Sequence, residues 1–242
     1  MHMAVGVMFA IDSTGSMRWV HRELCENIGN ILVQFEDEGI PARFSMVGFR
    51  DYPANSSDWI EFVDFSDEEE EEVEQLAGWL NRLNAKGGGG NGGESSLSGA
   101  IYGIEHCHWP EVKRKVLAIF TDDHPHVPDI GVESWSGFHE SLRAHEIEQI
   151  HLFVNARHAD GFDDMDSHGY DVIRHTLVKD NRDALEESIR KFVKISSSGF
   201  DSEIEIIERP DSINPFAIDD DDISDESDDE TYDPDVNPFD DF

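Results

Sequence analysis

The apolar positions of the chain alternate between two rhythms. Ala4 to Ile11 is a nearly continuous apolar run, the pattern of a strand covered on both faces of a sheet. Trp19, Leu24, Ile28, Ile31, Leu32 and Phe35 then recur at the spacing of one helical face, up to Gly39. Ala42 to Phe49 is again strand-like. Trp59 to Phe65 alternates, with Trp59, Glu61, Val63 and Phe65 on one side and Ile60, Phe62 and Asp64 on the other. Asp67 to Leu83 predicts a helix, its acidic run Asp67 to Glu72 forming a solvated first turn that favours the positive end of the helix dipole, with Ser66 as N-cap. A Gly-rich loop from Lys86 to Gly93 leads into a helix over Ser96 to Cys107. Val116 to Phe120 reads as a central parallel strand, Glu133 to His145 as a helix, Ile150 to Val154 as a strand and Asp183 to Ile195 as the last helix. Asp160 to Asp166 reads as a loop, and the stretch after it carries no clear period. Together these elements predict an α/β fold: a Rossmann-like, doubly wound, mostly parallel sheet with one antiparallel edge strand and helices on both faces.

Charge changes this picture at the C-terminal end. Against 18 Lys and Arg stand 54 Asp and Glu, a formal net charge of −36 in 242 residues. Residues 211–242 carry 12 Asp, 2 Glu and no Lys or Arg, a local −14 that leaves −22 for the first 210. Such a segment cannot bury enough apolar surface to offset its ordering entropy and self-repulsion. The organisation expected is therefore a folded body over residues 1–209 and a disordered acidic tail over 210–242. Within the tail Asn214-Pro215-Phe216 recurs as Asn237-Pro238-Phe239, a repeat that reads either as stray aromatics in low-complexity acid or as a docking motif used twice.

The same balance excludes partners. Phosphate backbones and anionic membrane surfaces are bound by clustered Lys and Arg, which are scarce and scattered here, so neither nucleic acid nor a membrane is expected. No run reaches the roughly 18 apolar residues of a spanning helix, and Met1 to Ile11 lacks the basic flank and cleavage site of a secretion signal. Cys25 and Cys107 stand alone, with no disulfide framework and no CxxC pair, which points to a reducing, cytoplasmic setting.

In sheets of this kind function gathers in loops beyond the carboxyl ends of the strands, near the point where strand order reverses. Three loops there carry chemistry. Asp12-Ser13-Thr14-Gly15-Ser16-Met17 leaves the first strand with a D-x-T-x-S spacing that turns one carboxylate and two hydroxyls toward one point, around a glycine that allows a tight turn. Oxygen-only ligation suits a hard cation, Mg²⁺ first. Taken alone the same spacing also fits a helix N-cap with an Asx turn. The second loop is Lys86 to Glu94, with Asn91 among glycines. The third is Thr121-Asp122-Asp123-His124-Pro125-His126, at the end of the most apolar strand. Asp123, His124 and His126 read either as further ligands or a general base beside Asp122 or, for imidazoles next to Pro125 on an exposed loop, as its rim; Arg50 and Asp51 read as a local pair after the second strand, with Asp51 on the loop side of the sheet and able to reach the site through water. The acids of Asp160 to His168 lack the 12-residue ligand pattern and closing Glu of a calcium loop.

Val7-Met8-Phe9-Ala10-Ile11-Asp12-Ser13-Thr14-Gly15-Ser16-Met17, Gly48-Phe49-Arg50-Asp51-Tyr52, the Gly-rich loop ending in Glu94, and Phe120-Thr121-Asp122 together resemble a von Willebrand factor type A domain, of the intracellular and bacterial branch with a DxTGSM first loop. The resemblance covers roughly residues 4 to 195. It implies a metal-ion-dependent adhesion site in which Asp12, Thr14, Ser16 and Asp122 hold Mg²⁺ or Mn²⁺ directly or through water, and a carboxylate of a partner protein completes the coordination. The second-loop Thr of the best-known members has no match. Where related members carry G-G-G-D-x-P-E this chain has Gly88-Gly89-Gly90-Asn91-Gly92-Gly93-Glu94, so Asn91, a neutral oxygen donor, stands where Asp would.

The function expected is thus a non-enzymatic protein-interaction module with a metal site and an acidic tail. The tail either docks on a partner, such as the ATPases, kinases or phosphatases that related proteins accompany, or occupies the metal site of its own or a neighbouring chain. The competing class is a metal-assisted phosphohydrolase using Asp12, Asp122, Asp123 and His124. No Lys or Arg is placed to neutralise a transferring phosphoryl group, and the net charge repels such substrates.

Overall fold

A computed structural model describes residues 4–52, 58–66, 71–83, 85–87 and 92–198, without side chains at 167 and 168. Six strands form one sheet: β1 (Val5–Asp12), β2 (Ala42–Phe49), β3 (Ile60–Val63), β4 (Arg114–Thr121), β5 (Gln149–Asn155) and β6 (Asp171–Leu177), in the order β3-β2-β1-β4-β5-β6. β3 runs antiparallel to β2 and all other pairs are parallel. Strand order reverses between β1 and β4: from β1 the chain winds outward through β2 on one side, and from β4 through β5 and β6 on the other. Ile11 pairs with Phe120, so Asp12 and Thr121 emerge side by side at this switch point.

The helices are α1 (Arg18–Asp37), α2 (Glu72–Arg82), α3 (Ser96–His106), α4 (Trp135–Ala144) and α5 (Arg182–Ser196). They cover both sheet faces because strand side chains alternate. Val7, Phe9, Phe44 and Phe120 pack with α1, α2 and α5 in one apolar cluster, whereas Met8, Ala10, Val47, Leu117 and Ile119 pack with α3 and α4 in the other. On the first face Phe9 meets Phe44 edge-on at 5.3 Å, and Phe120 stacks on Phe153 at 4.1 Å between centroids. Two helices start on side-chain caps: Ser134 Oγ accepts from the Gly137 amide at 3.2 Å, and Asn181 Oδ1 from the Ala184 amide at 3.1 Å.

Three expectations are corrected. The stretch without a clear period contains β6, an edge strand whose side chains alternate only weakly between buried and exposed. The expected loop at Asp160 to Asp166 lies within a 3₁₀ segment, Ala159–His168, and Arg174 engages Asp163 at 3.5 Å and Asp166 at 2.6 Å there. The acidic run before α2 is not wholly solvated: Glu72 is buried, its Oε2 accepts from Arg43 Nε at 2.6 Å and its Oε1 from the Phe44 amide at 2.5 Å. α2 begins there, with Glu71 at its N-cap, and Ser66 instead gives its carbonyl to Arg43. Asn91 and the acidic tail lie outside the described residues. Among those described, no helix is long and apolar enough to cross a membrane.

Candidate functional site

β1 ends on Asp12, which is fully buried. Its Oδ1 accepts the Thr14 amide at 2.8 Å and its Oδ2 the Thr121 hydroxyl at 3.2 Å. Its carbonyl accepts from His21 Nε2 of α1 at 2.8 Å, which fixes that imidazole with the proton on Nε2. Ser13 points the other way: its amide and hydroxyl both donate to the Phe49 carbonyl, at 2.7 and 2.9 Å. The second loop grips the first from above, with Lys86 N donating to Ser13 O at 3.1 Å and Gly15 N to Gly87 O at 3.2 Å. The D-x-T-x-S loop is therefore held by its own turn, by the end of β2 and by the glycine loop.

So held, the loop presents oxygens in a connected row. Thr14 Oγ1 lies 3.1 Å from Ser16 Oγ, and Ser16 Oγ donates to Asp122 Oδ1 at 3.1 Å. Four residues singled out in the sequence, Asp12, Thr14, Ser16 and Asp122, thus come together across the switch point.

Glu94 joins this group although the sequence marked it only as the end of a motif. It is 6% exposed, is tied to the third loop by hydrogen bonds from its amide to His124 O at 2.9 Å and from the His126 amide to its carbonyl at 3.0 Å, and its Oε2 has no hydrogen-bond partner among the described residues. Burial, and then the charges of Asp12, Asp51, Asp122 and Asp123, push its carboxyl up to about 9. Burial also pushes Asp12 up to about 7, with Asp122 adding to the rise and the bonds from Thr14 and Thr121 opposing it. Acids crowded together, two of them buried, disfavour one another's ionisation, and a divalent cation among them removes that penalty. The donor set fits such an ion: carboxylates and hydroxyls only, one buried carboxylate oxygen unpartnered.

Around this centre the rim is ordered. His126 Nε2 lies 3.1 Å from Asp51 Oδ1, and the fully buried Arg50 places Nη2 2.8 Å from Glu61 Oε1 and donates from Nη1 to the Asp58 carbonyl. Asp123, His124 and His158 form a separate cluster beside Asp122. His158 escaped the sequence reading. The available signal was its position, three residues past the end of β5 and on the same edge of the sheet as the three loops.

No family model matches the chain, and no curated protein sequence matches it. Among solved structures it is similar to the pilus adhesin SpaC from Lactobacillus rhamnosus GG: the open conformation superposes with a TM-score of 0.49 at 11% identity over 81% of this chain and 30% of the adhesin. A second crystal structure of that adhesin gives a TM-score of 0.52 at 12% identity over 81% of this chain and 31% of the other. The chain spans less than a third of the adhesin's length, and at these identities the likeness is one of fold.

Proposed function

We propose that the chain is a protein-interaction module of the von Willebrand type A kind, in which Asp12, Thr14, Ser16 and Asp122, with Asn91, hold Mg²⁺ or Mn²⁺ and a carboxylate of a partner protein completes the coordination. The observation that carries this reading is the hydrogen-bonded row of oxygens from Thr14 through Ser16 to Asp122, with Asp12 tied to it by the Thr14 amide, built from two strand ends at the switch point. Fold likeness to a pilus adhesin agrees with it. The bound ion supplies a positive charge where the protein is negative, so an acidic ligand meets attraction instead of repulsion. The chain's own residues do the rest: Asp12 and Asp122 set the charge, Thr14 and Ser16 set the spacing, and Glu94 adds a buried carboxyl beside them. In this reading the acidic tail is a second docking or self-regulating element, and an ATPase, kinase or phosphatase is a fitting partner. No observation of comparable weight favours the phosphohydrolase reading.

Calorimetry of the full chain with Mg²⁺ and Mn²⁺ tests the proposal. One site is expected in the wild type, with affinity reduced at least about 100-fold in Asp12→Ala, while far-ultraviolet circular dichroism stays unchanged. Equal binding by both chains would overturn it. Affinity capture with wild type, Asp12→Ala and a chain lacking residues 210–242 then separates partners of the metal site from partners of the tail.

A further inference from the structure

Beside the oxygen-lined centre, a second group of side chains has a different chemistry. Asp123 and His124 leave the end of β4, and His158 follows β5; one ligand atom from each lies within 4.8 Å of the others. Asp123 Oδ1 is 2.7 Å from His124 Nδ1 and 3.1 Å from His158 Nδ1. Ligand atoms bound to a tetrahedral ion at about 2.0–2.1 Å stand about 3.3 Å apart, so the 3.1 Å pair already has nearly that spacing, and the 2.7 Å pair has to open by about 0.6 Å to admit an ion.

The group is also oriented from outside, as metal ligands are. Asp123 Oδ1 accepts the His124 amide at 2.8 Å, and Oδ2 accepts the Gly93 amide at 3.2 Å. His124 is wedged by Gly161, where a Cβ would come within 2.7 Å of the His124 Cβ. The two imidazoles face each other nearly parallel, 24° apart in plane at 5.7 Å between centroids. All three side chains are partly exposed, which leaves an entry path and an open coordination position.

We infer that Asp123, His124 and His158 form a second cation site, selective for a borderline metal, Zn²⁺, adjacent to but chemically distinct from the oxygen-only centre. Imidazole nitrogen sets the preference: it suits Zn²⁺, whereas carboxylates and hydroxyls alone suit Mg²⁺. Two imidazoles and one carboxylate leave a fourth position for water or for a side chain of another protein.

The test is competition of the full chain against a chromophoric chelator for Zn²⁺ in millimolar Mg²⁺, followed by Co²⁺ substitution and visible absorption. The wild type and Asp12→Ala should each bind one equivalent of Zn²⁺, and Co²⁺ should give the ligand-field bands of a nitrogen-ligated ion. His124→Asn and His158→Asn should each weaken Zn²⁺ at least about tenfold and bleach those bands, while Mg²⁺ binding and the apo unfolding temperature stay unchanged. Zn²⁺ binding undiminished in the His124→Asn, His158→Asn double variant, or no stoichiometric Zn²⁺ in the wild type, would overturn the inference. Because Asp12→Ala removes only the first centre, failure of either site is read separately from failure of the other.

Discussion

Gln149 donates its side-chain amide to Asp171 Oδ2 at 3.0 Å, and that bond fixes the protons of two buried histidines. With the amide so oriented, Gln149 Oε1 faces His151 Nε2 at 3.0 Å and accepts its proton, which leaves His151 Nδ1 to accept from His175 Nε2 at 2.9 Å. Burial holds both imidazoles neutral: His175 is lowered to about 4, and His151 to about 2, with the charge of His175 adding to the effect of burial. The sign follows from the direction. Above pH 6.5 both rings are neutral folded or unfolded; as pH falls below 6.5 the unfolded chain takes protons that the fold refuses, and stability drops by up to about 1.4 kcal/mol per pH unit for each ring. Asp12 and Glu94 are raised instead, so their contribution is greatest at low pH and is lost as pH rises, opposing the histidines. The prediction is therefore a difference. Urea unfolding at pH 7 and pH 5 should show His175→Gln, which keeps a donor but does not titrate, losing less stability on acidification than the wild type. Equal losses would count against the neutral pair.

Residues of the site differ in how far sequence exposes them. Asp12, Thr14 and Ser16 sit within five positions of one another, so local spacing alone brings their oxygens together. Glu94 and His158 reach the same edge only because β4 lies between β1 and β5, and that neighbour relation is a property of strand order that no local pattern encodes.

At the scale of elements, α3 lies so close to the sheet that two of its positions admit no side chain. A Cβ on Gly99 would come within 2.6 Å of Phe49 Cβ, and one on Gly103 within 2.8 Å of Val47 Cγ1 and 2.9 Å of Met8 Sδ. Gly to Ala inside a helix is ordinarily stabilising by about 1 kcal/mol. Here overpacking against a buried strand opposes it with about 1–3 kcal/mol. Gly99→Ala is therefore predicted to lower the urea midpoint, and a raised midpoint would show that α3 can move outward at little cost. The elements that sequence made plain are those with one dominant rhythm: the continuous apolar runs of β1 and β4 and the amphipathic faces of α1 and α5. β6 was obscured because it lies at the sheet edge, where Arg174 is turned to Ala159 O at 2.6 Å and Phe162 O at 3.0 Å and His175 is buried, so polarity along the strand does not follow burial.

Over the whole molecule the excess of acid acts as a field. A chain with a net charge of −36 repels itself, and mobile salt screens that repulsion over a Debye length of about 10 Å at 0.1 M. Raising NaCl from about 20 mM to about 300 mM in the presence of chelator should raise the unfolding temperature, and a fall would mean that attractive pairs such as Arg43–Glu72 outweigh the repulsion. Such a field draws in cations of every kind and discriminates among none. Discrimination falls instead to stiffness. The first loop is fixed by Ser13 on Phe49, by Lys86 on Ser13 and by Gly15 on Gly87, so the gaps between its oxygens are set before any ion arrives. A cradle of fixed span acts as a gauge: Mg²⁺, content with oxygens at about 2.0–2.1 Å and with several waters of its own, suits it, whereas Ca²⁺, seeking six to eight oxygens at about 2.3–2.6 Å, would have to pry the loop from three anchors.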